Sequence, residues 1–299
     1  MTYAPIVLFV YNRPVHTRHT VETLQKNIHA DKSDLIIFSD WAKDETSQKN
    51  VEEVREYLRL ISGFKSITII LRERHYGLAE SVISGISQVF EKYDAVIVME
   101  DDLESSQFFL TFMNAALDYY KEQNRIYSIS GYNYPITIPD DYPYDVYLSY
   151  RCGSWGWATW KDRWLKACWN INKNDSFFSD KKAQSEFKRG GNDMVGMLID
   201  QIEGKIDSWA IRWSYTHYIN HAYCVFPTNS KIKNIGNDGS GTHVDKTNYF
   251  DVAMDSGQSK FTFTNDMKVN NEIAKNFARI FEPSIRLKIK RLLSGRWIL

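Results

Sequence analysis

The sequence has no excess of charge of either sign. Lys and Arg together number 37, and Asp and Glu together also number 37, in a chain of 299 residues. A general nucleic-acid binder usually carries a strong positive field, so this balance excludes that class of protein. Any charged partner must therefore be bound by a local site.

Uninterrupted apolar segments are short. The longest, such as Ile6 to Tyr11, fall far below the roughly 20 residues that a membrane-spanning helix needs, so no span is expected. Met1 leads directly into a strand-like segment, without a basic region followed by a small-residue cleavage site. We therefore predict no secretory signal and a cytoplasmic location.

Cysteine is scarce. Cys152, Cys168 and Cys224 show neither the close pairing of a zinc knuckle nor the even count of a disulfide framework, which predicts reduced, structural thiols. Aromatic residues are abundant, with 9 Trp, 18 Tyr and 16 Phe. Such residues form either platforms for sugar rings or a bulky core, and the core is the commoner use.

The first hundred residues alternate between strand-like and helix-like segments. Apolar runs of strand length occupy Pro5 to Tyr11, Asp34 to Asp40, Ser66 to Leu71 and Ala95 to Met99. Segments with helical periodicity separate them, at Val15 to Ala30, Glu45 to Ile61 and Leu78 to Tyr93. This alternation predicts an α/β fold with a mostly parallel sheet flanked by helices, which binds ligands beyond the carboxyl ends of its strands.

Three consecutive acids, Glu100, Asp101 and Asp102, follow the fourth predicted strand. Adjacent carboxylates repel one another, and a hard divalent cation would relieve the repulsion while leaving positions open for phosphate oxygens. The alternative is that the acids cap the helix predicted at Ser105 to Gln123. Their position at a strand end favours the metal site.

Polar residues also follow the other three strands. Arg13, Asp40 and the Tyr76-Gly77 turn lie where a nucleotide could cross the sheet edge. Each also has a structural explanation, as an ion-pair partner, a turn or cap residue, and a turn former.

The second half of the chain offers three further candidates. Cys152 to Trp160 combines small residues with three tryptophans, which suits either a sugar or nucleotide site or a buried turn. Asp207 lies beside Trp209 and is a candidate base or a helix cap. The Gly/Asn-rich segment Asn234 to Thr242 ends in His243 and could close over a bound diphosphate. His217 and His221 lack the glutamate of a zinc-protease helix and are interpreted as packing residues.

The chain resembles the nucleotide-sugar glycosyltransferases of GT-A fold. The segments Ile6 to Pro14, Asp40, Tyr76 to Ser81, and Val96 to Asp102 resemble those of bacterial family 2 transferases. They are also similar in order to those of N-acetylglucosaminyltransferase I. The resemblance extends over roughly residues 4 to 243.

The resemblance implies a role for each matching residue. Arg13 and Asp40 would hold the base and ribose, Glu100 and Asp101 would face the ribose and donor sugar, and Asp207 would be the base, with Glu203 as the alternative. Asp102 and His243 would bind Mn²⁺ or Mg²⁺. The complete expected substrate-binding set is Tyr11, Arg13, Asp40, Tyr76, Gly77, Ser81, Glu100, Asp101, Ser154, Trp155, Gly156 and Trp209.

The implied activity is metal-dependent, inverting transfer of a hexosyl or N-acetylhexosaminyl group. The donor would be a nucleotide-diphosphate sugar such as a UDP-sugar, and the acceptor a glycan or lipid-linked glycan in the assembly of bacterial lipopolysaccharide or capsule. The alternatives are a sugar nucleotidyltransferase, which normally has a glycine-rich phosphate loop that Tyr11 to Pro14 lacks, and a non-catalytic carbohydrate-binding protein.

The expected organisation is a catalytic domain followed by a helical extension. Residues 1–265 would form the catalytic domain, with a nucleotide-binding half at 1–104 and an acceptor half at 105–265, and residues 266–299 the extension. Its last segment, Ser284 to Leu299, is basic and amphipathic. It would lie either on an anionic membrane surface or against the catalytic domain.

Overall fold

The computed structural model describes residues 3–239, 247–255 and 257–282. Its main feature is a large β-sheet. The strands are β1 (Ile6–Val10), β2 (Asp34–Ser39), β3 (Ser66–Leu71), β4 (Ala95–Glu100), β5 (Leu103–Ser105), β6 (Ile126–Ser130), β7 (Val146–Ser149), β8 (Trp157–Trp160), β9 (Tyr223–Pro227) and β10 (Ile232–Asn234). Eight of them form one sheet in the order β3-β2-β1-β4-β8-β6-β9-β7, and β5 pairs with β10 in a separate ribbon.

Helices cover both faces of the sheet. They are α1 (Pro14–Gln25), α2 (Glu45–Leu58), α3 (Leu78–Val89), α4 (Phe109–Tyr120), α5 (Lys161–Trp164), α6 (Lys181–Phe187), α7 (Met194–Ile202), α8 (Trp209–Ile219) and α9 (Asn271–Ile280). Successive side chains of β1 point to opposite faces, so Leu8 joins the core that contains α1, α2 and α4, while Phe9 joins the core that contains α3 and α8.

The predicted fold class is confirmed. β1 pairs in parallel with β2 and β4, β2 pairs in parallel with β3, and β6 pairs in parallel with β9. β8 is antiparallel to both β4 and β6 and joins the two parallel groups. Strands β1, β2, β4 and β6 therefore all end at the same edge of the sheet. The loops that follow them lie along that edge.

The predicted helices are shorter than their periodicity indicated, and α1 and α4 show a cause. α1 ends at Gln25 rather than near residue 30, because the Asn27 side chain bonds to Thr23 O, Ser105 Oγ and Leu110 N instead of leaving the backbone free to continue. α4 begins at Phe109 rather than Ser105, because β5 pairs with β10 from far along the chain. Long-range pairing overrides helical periodicity at both places.

Five tryptophans pack α8 and its neighbours against the sheet. The indole of Trp209 stacks on that of Trp157 with ring centroids 4.8 Å apart, and Trp164 contacts Trp169 at 4.5 Å. Trp213 lies among them and is fully buried. The core interpretation of the aromatic content therefore holds for this block.

The three cysteines are free thiols, as predicted. Within the described residues, no helix has the length and apolarity required to cross a membrane. The segment 284–299, for which a membrane-surface or packed helix was expected, lies outside the described residues.

His217 is fully buried in α8, which confirms its packing role. Its Nδ1 donates to Trp213 O at 2.7 Å, so its Nε2, 2.8 Å from Ser128 Oγ, accepts a hydrogen bond from that hydroxyl. This is the neutral form of the ring. Burial lowers the pKa of His217 from 6.5 to about 4.

We predict that His217 makes the fold sensitive to acid. The unfolded ring takes up a proton near pH 6.5 and the folded ring only near pH 4, so its contribution is complete above pH 6.5 and is lost as the pH falls towards 4. The free energy of unfolding should fall by about 2 kcal/mol between pH 6.5 and 5 from this residue. Urea unfolding at both pH values, compared with His217→Gln, measures the contribution; equal pH dependence of the two proteins would contradict it.

Candidate active site

The acidic motif, Glu100 to Asp102, lies at the carboxyl end of β4, on the sheet edge where β1, β2 and β6 also end. Asp101 Oδ2 accepts the backbone N–H of Tyr11 at 3.0 Å, and this bond joins the end of β1 to the motif. Burial and the neighbouring Asp102 raise the pKa of Asp101 to about 7, and burial with repulsion from both aspartates raises that of Glu100. The three carboxyl groups are therefore crowded and buried, and their charged forms are disfavoured unless a cation compensates them. They do not cap a helix, because β5 follows them and α4 begins only at Phe109.

Arg13 provides a positive charge against this motif. Its Nη1 donates to Asp102 Oδ2 at 2.8 Å, and its Nη2 donates to Gly236 O at 3.2 Å. The guanidinium thus joins the end of β1 to both β4 and the chain after β10. The other carboxylate oxygen, Asp102 Oδ1, is buried and has no hydrogen-bond partner within the described part of the chain.

The turn after β10 lies directly on this ion pair. The Ile235 amide donates to Asp102 O at 2.9 Å. A Cβ on Gly236 would lie 2.1 Å from Asp102 Oδ2 and 2.8 Å from Arg13 Nη1, so only glycine allows this approach. Asp238 also approaches Arg13, at 3.6 Å, and His16, at 3.2 Å. The first part of the Gly/Asn-rich segment is therefore built into the site.

Both oxygens of the Asp40 carboxylate accept hydrogen bonds from within the protein. Oδ1 accepts the amides of Trp41 and Tyr76, each at 2.9 Å, and Oδ2 accepts the amide of Gly77 at 3.0 Å and approaches His75 Nδ1 at 3.0 Å. Asp40 is only 5% exposed. In this arrangement it holds the turn that precedes α3 against the end of β2, while the ligand contact expected of it stays a prediction.

His75 and Arg55 complete this part of the sheet edge, and neither was expected from the sequence to have a role there. His75 Nδ1 lies 3.0 Å from both Trp41 O and Asp40 Oδ2. Both of these oxygens are acceptors, so Nδ1 is the nitrogen that donates a hydrogen, and Nε2 has neither of these partners. Its ring lies 5.2 Å from that of Tyr11. Arg55, on α2, donates to the carbonyls that end β2 and β3. No motif identifies Arg55, because its partners are backbone carbonyls and the hydroxyl of Ser39, all distant in sequence.

The loop before β8 is compressed between strand ends. Gly156 has a φ of +60° and its carbonyl accepts the amide of Gly131 at 2.6 Å, while a Cβ on Gly156 would lie 2.6 Å from Ile232 Cγ1. Trp157, the next residue, pairs with Val98 of β4, so this loop runs beside the acidic motif. Ser154 and Trp155 are half-buried in it, with the Trp155 ring 4.6 Å from that of Tyr132.

Asp207 lies just before α8. The stacking of Trp209 on Trp157 places the start of this helix at the sheet edge where β4 ends. The helix is capped by Ser208, whose Oγ accepts the Ile211 amide, so Asp207 is not the cap. Its carboxylate is 65% exposed and accepts from Arg212 Nη2 at 3.0 Å. Its role as a base stays a prediction.

Four other expected residues differ in their surroundings. Trp209 is 3% exposed, and its indole packs the core, which accounts for it without a substrate contact. Ser81 is buried on the first turn of α3, and Tyr76 is half-buried between the guanidinium groups of Arg72 and Arg74. Glu203, the alternative base, ends α7 and pairs with Lys205. His243 lies outside the described residues.

The acidic motif fits a divalent cation, although the described residues contain no group of three or more His, Cys, Asp or Glu side chains arranged to hold one. Asp102 offers a buried, unpaired carboxylate oxygen, and oxygen is the ligand atom that Mg²⁺ and Mn²⁺ prefer. Burial and mutual repulsion raise the pKa of Glu100 and Asp101, and a bound cation would offset that repulsion and favour their charged forms.

A family model described as the GNT-I family matches residues 1–189, well over half of the chain. The chain therefore belongs to the GNT-I family, and the resemblance to GT-A glycosyltransferases is confirmed. No curated protein sequence matches the chain.

Two solved glycosyltransferase structures are similar to the chain at low identity and low TM-score. The mannosyltransferase PcManGT from Pyrobaculum calidifontis, in complex with GDP-Man and Mn²⁺, is 13% identical, with a TM-score of 0.39 over 63% of this chain and 54% of its own. S. aureus TarS is 9% identical, with a TM-score of 0.44 over 78% of this chain and 37% of its own. The chain thus spans about half of the first protein and about a third of the second.

We predict that Asp40→Asn destabilises the fold without any ligand present. An amide keeps one acceptor oxygen and turns an NH₂ group towards backbone donors, so at least one buried N–H loses its partner. The expected loss is about 2 kcal/mol in the free energy of unfolding. Urea unfolding measures it, with Asp94→Asn as an exposed control. Unchanged stability would mean that the carboxylate is not needed to hold the turn.

Proposed function

We propose that this protein is a metal-dependent, inverting glycosyltransferase. It would move a hexosyl or N-acetylhexosaminyl group from a nucleotide-diphosphate sugar, such as a UDP-sugar, to a hydroxyl of a glycan or lipid-linked glycan. Membership of the GNT-I family supports transfer from a nucleotide sugar. The observation that carries the finer proposal is Asp102, which offers a buried unpaired oxygen beside two further acids and Arg13 at the sheet edge.

The acidic motif would hold the diphosphate end of the donor. Asp102 Oδ1 would bind Mn²⁺ or Mg²⁺, with His243 as a second proposed ligand, and Glu100 and Asp101 would face the ribose and donor sugar. A bound divalent cation would neutralise the charge that develops on the departing diphosphate. Arg13, which is bonded to Asp102, would add a fixed positive charge beside the diphosphate.

The nucleoside would lie across the ends of β1 to β3. Tyr11 and His75 form a half-buried aromatic surface there, 5.2 Å apart, beside the turn at Tyr76 and Gly77. Because Asp40 fixes the Nδ1 proton of His75, a neutral ring has an acceptor at Nε2, which suits a base that carries a ring N–H, such as uracil. Asp40 supports this surface by orienting His75 and the turn.

The acceptor would approach between the loop at Ser154 to Gly156 and the start of α8. Asp207 would take the proton of the acceptor hydroxyl as that oxygen attacks the anomeric carbon from the face opposite the diphosphate. Its exposure leaves it accessible, and Arg212 fixes the orientation of its carboxylate. The half-buried Trp155 gives the acceptor sugar an apolar surface.

The products released from nucleotide sugars test the proposal against its alternatives. A panel of nucleotide sugars is incubated with Mn²⁺ and with EDTA, and nucleoside diphosphate is measured. A transferase releases diphosphate only with metal. A nucleotidyltransferase forms or consumes triphosphate, and a carbohydrate-binding protein changes neither, so either result would overturn the proposal.

We predict that Asp102→Asn removes metal-dependent donor binding while the chain stays folded. The amide keeps the shape of the side chain but lacks the anionic charge that binds the cation. Calorimetric titration of UDP in the presence of Mn²⁺ measures the loss, and Asp118→Asn is an exposed control. Unchanged affinity in the Asp102 variant would refute its role as a ligand.

For Asp207→Asn we predict normal UDP and Mn²⁺ binding but transfer at least about 10²-fold slower, because the amide cannot accept the proton. Initial rates with a saturating acceptor measure the loss, and Glu203→Gln should transfer normally. The reverse pattern, with Glu203→Gln slow and Asp207→Asn normal, would assign the base to Glu203.

The cellular role is also part of the proposal. The resemblance to bacterial transferases supports assembly of surface polysaccharide, such as lipopolysaccharide or capsule, by a cytoplasmic enzyme. A lipid-linked acceptor would bring the enzyme to the membrane, where the basic segment 284–299 would supply peripheral contact.

A further inference from the structure

Asn237 carries a buried amide group without a hydrogen-bond partner in the described part of the chain. The residue is 8% exposed, and its Nδ2 is shielded from solvent. A buried donor that makes no hydrogen bond is costly, and in native proteins such a group usually meets a ligand, ion or water. Neither the family match nor the expected set of site residues gives Asn237 a role.

The position of Asn237 is fixed relative to the acidic motif. The preceding residue, Gly236, lies against Asp102 and Arg13 so closely that no side chain fits, and the following residue, Asp238, approaches Arg13 and His16. The Asn237 carbonyl accepts the amide of Thr247 at 3.0 Å, which holds the turn from its other side.

Two buried polar atoms without hydrogen-bond partners, one an acceptor and one a donor, therefore lie in neighbouring segments of the described chain. Asp102 Oδ1 is a buried acceptor and Asn237 Nδ2 is a buried donor, and they do not bond to each other. A ligand with a cation at one point and anionic oxygens at the next would satisfy both. A divalent cation with a bound diphosphate has that arrangement of charges.

We propose that Asn237 is a donor-binding residue whose side-chain amide donates a hydrogen bond to a phosphate oxygen of the nucleoside diphosphate. This inference rests on the proposed function. It adds a specific contact from the turn after β10, so that the diphosphate is held between this turn and the acidic motif. A hydrogen bond to a charged oxygen is stronger than one between neutral groups, which makes the contact measurable.

Asn237→Ala separates this role from a structural one. Within the described residues, Nδ2 makes no hydrogen bond that the substitution would remove, so the thermal midpoint should not change, whereas the Kd for UDP with Mn²⁺ should rise at least about tenfold. The matched control is Asn114→Ala, an asparagine 6% exposed that bonds to Ala4 N and Leu110 O. That control should lower the thermal midpoint and leave the Kd unchanged.

Asn237→Asp tests the direction of the hydrogen bond. It has nearly the same shape but presents a carboxylate to the phosphate, so UDP with Mn²⁺ should bind more weakly than to Asn237→Ala. Wild-type affinity in the aspartate variant would place the side chain against the cation and overturn the proposal. Wild-type affinity in Asn237→Ala, or a lowered thermal midpoint without a change in Kd, would also overturn it.

The unsubstituted chain distinguishes the two levels of inference. If it binds neither UDP nor GDP in the presence of Mn²⁺, the proposed function fails, and the role of Asn237 fails with it. If it binds one of them and the Asn237 variants bind equally well, the proposed function stands and only the role of Asn237 is overturned.

Discussion

The ion pair between Arg13 and Asp102 joins three parts of the chain that are distant in sequence. Arg13 follows β1, Asp102 follows β4, and the Gly236 carbonyl, which follows β10, accepts from the same guanidinium. The contact is partly buried, where the energy of an ion pair depends on how completely its charges are neutralised. Here one guanidinium faces three neighbouring carboxyl groups, so it cannot neutralise all of them when they are ionised.

That incomplete neutralisation explains the form of the surrounding structure. The backbone amide of Tyr11 and the guanidinium of Arg13 approach the acids from β1, and the turn after β10 approaches them from the other side. These contacts reduce the electrostatic cost of burying the acids without using every acceptor. The oxygen that they leave unfilled is the one that the proposed function assigns to a cation.

The sequence predicted the sheet edge well because that information is local. Each of the first four strands is a short apolar run, and the polar residue that follows it is adjacent in sequence, as Asp40 follows β2 and Glu100 ends β4. The errors arose where distant residues meet. The pairing of β5 with β10 replaced a predicted helical start. The stacking of Trp209 on Trp157 is another contact between distant residues that its sequence did not indicate, and the substrate contact expected of Trp209 stays a prediction.

The identity of a residue was easier to predict than the group that it contacts. Asp40 was selected correctly as a residue of the sheet edge, yet its oxygens face the Tyr76 and Gly77 amides. Nothing in the sequence near Asp40 specifies that contact, since it depends on how the end of β3 turns into α3. Arg55 was missed for the same reason, because an arginine on the polar face of a helix has the pattern of a surface residue.

The two halves of the candidate site depend on the fold in different ways. Donor-side residues lie directly after the strands, so the hydrogen bonds of the sheet fix their relative positions. Asp207 instead takes its position from α8, and α8 is held by the packing of Trp209 and Trp213 against Trp157. Interiors are densely packed, so a change of volume among these indoles moves the helix. The tryptophan core therefore positions α8 on the proposed acceptor side, and its packing couples stability to the geometry of the proposed base.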